Sequence, residues 1–111
     1  MPFISTFTRF FLLQIVVTSP NNPSGLTYDQ SQFQRLVEYC RQYDSWLVVD
    51  QTYYEFLYEG QQHTIPCSTA LQYEKIVHIF SLSKVFGMPG WRVGYVAYPK
   101  SLNDSMRKVN K

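Results

Sequence analysis

The sequence has 111 residues, 45% of them hydrophobic and 16% charged; that much apolar surface offsets the entropy of ordering the backbone, which excludes a disordered chain and suits one domain with a single core. Ten Lys and Arg against eight Asp and Glu leave a formal charge of +2, with no basic block before Arg107 and Lys108, so nothing points to nucleic acid. Cys40 and Cys67 have no metal-ligand spacing and are too few for a disulfide framework, so a reducing cytoplasm is the expected compartment.

The chain opens on an apolar segment, residues 1–14, set apart from a domain expected over residues 15–111. Arg9 interrupts this segment, and neither a basic leader nor a small-residue cleavage site accompanies it, so it is not read as a signal peptide. The run from Phe10 to Leu13 is far short of the roughly 20 residues that span a bilayer, so no membrane anchor is expected. "QIVVTSP", Gln14 to Pro20, is a β-branched run stopped by proline and predicts a buried strand; "NNPSGLTYDQ" then supplies turn residues. From Asp29 or Gln30 to Tyr43, the spacing of Phe33, Leu36, Val37 and Cys40 predicts an amphipathic helix with Cys40 on its apolar face.

"WLVVD", Trp46 to Asp50, predicts a second strand, "KIVHIFSLS", Lys75 to Ser83, a third, and "WRVGYVAYP", Trp91 to Pro99, a fourth. Between the second and third, Glu55, Phe56 and the tyrosines Tyr53, Tyr54 and Tyr58 are expected to form a short helical segment over the sheet edge. Long or helical connections predict a mostly parallel α/β sheet. The link from Lys84 to Trp91 is too short for a crossover, so the last strand is expected to run antiparallel. His63, in a polar loop, and His78, inside an apolar strand, are read as structural.

Ligands of open α/β sheets sit beyond the carboxyl ends of parallel strands. Asn21 and Asn22 follow the first strand, Asp50 ends the second, and Ser81, Ser83 and Lys84 end the third. Taken singly, each has a plainer reading: "PNNPSG" as a turn, Asp50 as a helix N-cap, Tyr53 as a half-buried amphipathic side chain, Lys84 as a solvated charge and Arg92 as a salt-bridge partner.

Taken together and in order, "PNNPSG", "DQTYYEF", "SLSK" and "GWRVGY" resemble the pyridoxal-phosphate site of class I/II aminotransferases, the fold-type I family. The resemblance covers about Ile15 to Pro99, a middle segment of a typical member's large domain. It implies a partial α/β large domain with about four strands, ordered fourth, third, first, second across the sheet. It also implies that Lys84 forms the Schiff base with the cofactor aldehyde and moves the substrate proton, a task for a neutral amine. Asp50 is matched to the aspartate at the pyridine nitrogen, Asn22 and Tyr53 to the donors at the ring oxygen, and Ser81, Ser83 and Arg92 to the phosphate contacts. The function implied is amino-group exchange between an amino acid and a 2-oxo acid, in a homodimer. The family's upstream phosphate-binding helix and stacking aromatic, and its downstream substrate arginine, have no counterparts among these residues, so a fragment inactive alone is expected. Two alternatives stay open: a carbon-sulfur lyase built on the same motifs, because the cofactor carries the chemistry, and a non-catalytic remnant that pairs through its exposed sheet. Neither a G-x-G-x-x-G nor a G-x-x-x-x-G-K-[ST] pattern supports a nucleotide binder.

Overall fold

The computed structural model describes residues 14–62 and 73–109. Strand β1 spans Gln14–Thr18, β2 Trp46–Asp50, β3 Ile76–Ser81 and β4 Gly94–Ala97; helix α1 spans Gln30–Gln42, α2 Leu82–Val85 and α3 Asn103–Val109, with 3-10 turns at Pro89–Trp91 and Lys100–Leu102. Most of the segment 1–14, together with His63 and Cys67, lies outside the described residues.

Asp29 caps α1 on both sides of a reciprocal pair. Its carboxylate accepts from the Gln32 amide at 2.8 Å, and its own amide donates to Gln32 Oε1 at 2.8 Å. The Ser31 hydroxyl, donating to the same carboxylate at 2.7 Å, and the Gln32 amide hold the Asp29 carboxyl below its usual range. At the other end, Tyr73 Oη donates to the Ser45 and Cys40 carbonyls, and Lys75 Nζ bonds the Asp44 carboxylate at 2.6 Å. The helix is thereby tied to the chain just before β3.

Its apolar stripe, Phe33, Val37 and Cys40, lies on Val17, Leu47, Val49 and Ile76 of the sheet and forms the core. Alternation sets the opposite face: Val16 is 59% exposed, and Ile79 and Val96 are also exposed. The sheet order is β1-β2-β3-β4, with the first three strands parallel and the last antiparallel, as the short link before β4 requires. This corrects the expected order of fourth, third, first, second. β2 lies between β1 and β3, and the ladder is continued past its end by Ser19 N donating to Asp50 O and Gln51 N donating to Ile79 O.

Three local expectations also change. The chain after β2 forms turns closed by Tyr54 N to Gln51 O and Phe56 N to Tyr53 O, where a short helix was expected; Tyr54 still packs edge-on against Phe80 at 5.7 Å. The third strand ends at Ser81, because the Ser81 hydroxyl accepts from the Ser83 amide and starts α2. The fourth begins only at Gly94, because Arg92 takes a left-handed conformation, φ 53°.

Candidate functional site

The loops that follow β1, β2 and β3 leave the same end of the sheet, since Thr18 pairs with Asp50 and Asp50 with Ile79. Arg92 precedes β4, whose Gly94 pairs with Ser81, so it reaches that end as well. The seven candidate residues, from four separate segments, are therefore carried to one end of the sheet by its register, the usual place for a ligand in such a sheet.

Behind β1 the chain folds back on itself. Gly25 N donates to Asn21 O at 2.7 Å and Asn21 N to Leu26 O at 2.9 Å, with Gly25 at φ +69°. The Ser19–Pro20 and Asn22–Pro23 peptides are cis. This loop presents Asn22 to the turn after β2, where Asn22 Nδ2 donates to Tyr53 Oη at 2.9 Å. The bond uses one amide hydrogen and one phenol lone pair; the second amide hydrogen and the phenol's own O–H stay available to a further acceptor.

A cavity of about 420 Å³ lies beside this pair, lined by both loops and by Lys84 from α2. Lys84 is exposed on this lining and is its one charged side chain among the described residues. The rest of the wall is largely apolar, from Pro20, Pro23, Phe56, Leu57 and Tyr58. Volumes of roughly 300–1,000 Å³ with a few convergent polar groups characterise small-molecule sites.

The other four expected residues stand at the same sheet edge but do not line the cavity. Asp50 Oδ1 accepts from the Thr52 amide at 3.0 Å and the Thr52 hydroxyl at 2.7 Å. That fixes its carboxylate within a turn, partly the capping role its plainer reading allows. The Ser81 hydroxyl is engaged by Ser83 N, and Arg92 Nη1 donates to Pro89 O at 3.1 Å. Behind Asp50, Gln51 turns to the covered face, where its Oε1 meets His78 Nδ1 at 2.9 Å.

Two contributors escaped the sequence reading. Tyr58 packs on Gly25, and Gln61 bridges the two loops, its Nε2 donating to Gly25 O and its Oε1 accepting from Tyr58 N. The only local signal was the glycine that closes "PNNPSG"; nothing near Tyr58 or Gln61 marks a contact across 33 or more residues.

Comparison with known proteins agrees with this fold. Residues 13–111 match the family model described as aminotransferase class I and II. An aromatic aminotransferase of Arabidopsis thaliana is 38% identical over 89 residues, 80% of this chain and 21% of that protein. A probable aspartate/prephenate aminotransferase of Thermus aquaticus is 38% identical over 96 residues, 86% of this chain and 24% of that protein. Among solved structures, aspartate aminotransferase from Thermus thermophilus with maleate superposes with a TM-score of 0.78 at 36% identity, over 87% of this chain and 25% of that one. The chain thus spans about a fifth to a quarter of the length of the relatives it matches, and by sequence and fold it belongs to the class I and II aminotransferases.

Proposed function

We propose that this chain carries part of the pyridoxal-phosphate site of an aminotransferase that moves an amino group between an amino acid and a 2-oxo acid, in a cytoplasmic homodimer. The observation that supports it is the Asn22–Tyr53 bond beside Lys84 on one cavity, at the carboxyl ends of three parallel strands. The residues present fit this cofactor: two donors stand together next to an amine, and a carboxylate and a guanidinium occupy the neighbouring strand ends.

Asn22 Nδ2 and the Tyr53 O–H would donate to the ring oxygen and hold the ring's orientation. Asp50 would keep the pyridine nitrogen protonated, with Thr52 steadying the carboxylate from the other side. Arg92 would bind the phosphate, with Ser81 and Ser83 as hydroxyl donors; the Ser81 hydroxyl can donate while its oxygen still accepts from Ser83 N. Lys84 Nζ would hold the cofactor through its amine and, once released by substrate, take the proton from the substrate α-carbon. When bound, the cofactor supplies the aldehyde for that amine and an electron-withdrawing ring for the electron pair left at the α-carbon.

Borohydride reduction of the chain with pyridoxal phosphate, followed by peptide mass spectrometry, tests this assignment. Stoichiometric label confined to Lys84, weakened by Arg92→Ala and absent in Lys84→Ala, is the expected result. Label scattered over several lysines, or none, favours the non-catalytic alternative.

A further inference from the structure

The two loops that carry Asn22 and Tyr53 are joined by a second set of contacts, away from the Asn22–Tyr53 bond. Gly25 lies at φ +69°, and the Tyr58 ring occupies the space a β-carbon there would need. Gln61 spans the same gap with both ends of its amide: Nε2 donates to Gly25 O at 3.0 Å and Oε1 accepts from Tyr58 N at 3.0 Å. Gly25 in turn closes the turn that holds Asn21, through its 2.7 Å bond to Asn21 O. A continuous chain of contacts therefore runs from Gln61 through Gly25 to the residue beside Asn22.

We infer that Tyr58 and Gln61 are positioning residues that clamp the loop of residues 21–26, so that Asn22 stays bonded to Tyr53 and the pair faces the cavity as one donor unit. The inference deepens the cofactor reading above and rests on it for the purpose of the clamp, although the clamp itself is a property of the free chain. The physical need is clear: Asn22 is exposed, and an exposed side-chain bond alone is worth only about 0.5–1.5 kcal/mol, too little to hold a loop in one place. The ring of Tyr58 does the packing; its hydroxyl has no hydrogen bond among the described residues. Phenylalanine can therefore replace it, and alanine cannot.

The test uses the full chain without cofactor, labelled with nitrogen-15, in wild type, Tyr58→Phe, Tyr58→Ala and Gln61→Ala. The readouts are the Asn22 side-chain amide and its nuclear Overhauser contact with the Tyr53 ring. Wild type and Tyr58→Phe keep the contact; Tyr58→Ala and Gln61→Ala lose it, while the amide shifts of β1, β2 and β3 stay in place and separate loop release from unfolding. Retention of pyridoxal phosphate, followed by equilibrium dialysis, then weakens about fivefold in the same two variants, the equivalent of one ordinary hydrogen bond. An Asn22–Tyr53 contact that persists in both Tyr58→Ala and Gln61→Ala overturns the clamp. Loss of the contact with no cofactor retained by wild type upholds the clamp and overturns the cofactor reading instead.

Discussion

Burial of His78 on the sheet face it shares with Val49, with Nδ1 bonded to Gln51 and Nε2 unpaired among the described residues, favours the neutral ring, and desolvation lowers its pKa from the ordinary value near 6.5. An amide oxygen only accepts, so Nδ1 carries the hydrogen. Below the ordinary value the unfolded chain binds a proton that the folded chain resists. This contribution to stability is thus fully present above about pH 6.5 and is lost as pH falls through the depressed folded value. Urea midpoints measured from pH 7.5 to 5 should fall with pH in wild type and fall less in His78→Phe; parallel slopes would show that His78 does not titrate against folding. At this scale much was legible: Asn22, Tyr53 and Lys84, selected by residue type and order, line one cavity. Asp50, Ser81, Ser83 and Arg92 reach the same edge with their contacts turned to local backbone and neighbours, which no spacing reports. The Tyr58–Gly25 packing was not legible, since a side chain fitting an absent β-carbon leaves no pattern in either segment.

Elements with a local cause were read well. The helix stripe and the Asp29 cap fix α1 to within a residue of its expected ends, and "WLVVD" coincides with β2. The tyrosine-rich stretch after β2 misled, because its spacing suits one helical turn while Gln51 N is already held by Ile79 O and the next amides close only tight turns. β2, like β3, is flanked on both sides, and Leu47, fully buried in it, belongs to the core beneath α1. Leu47→Ala should therefore cost about 2–5 kcal/mol, a large share of the roughly 5–15 kcal/mol typical of a domain. Chemical denaturation checks this; a loss below 1 kcal/mol would place the core elsewhere.

One face of the sheet is covered by α1, and the other presents Val16, Ile79 and Val96 among the described residues. Exposed apolar strands of this kind drive association. Size-exclusion profiles of the purified chain should shift to larger species as concentration rises, and Val16→Glu with Ile79→Glu should restore the smaller species; a concentration-independent profile in wild type would count against an open face. Strand order was the part of the molecule least well anticipated. The order implied by the resemblance separated β2 from β3, whereas consecutive strands are neighbours about two-thirds of the time, and the continuous β1-β2-β3-β4 ladder follows that simpler tendency. The placing of Asn22, Tyr53 and Lys84 has a kinetic consequence. Tyr53 lies 31 residues after Asn22, and Lys84 follows Tyr53 by the same interval, so no two of them meet through local chain folding. Each meeting requires a long loop to close first, the slowest kind of event in assembling a parallel sheet. Under the proposed function, a captured pyridoxal ring would report all three residues at once, and its fluorescence would then be a clock for the last step of refolding, lagging behind the helix signal of α1.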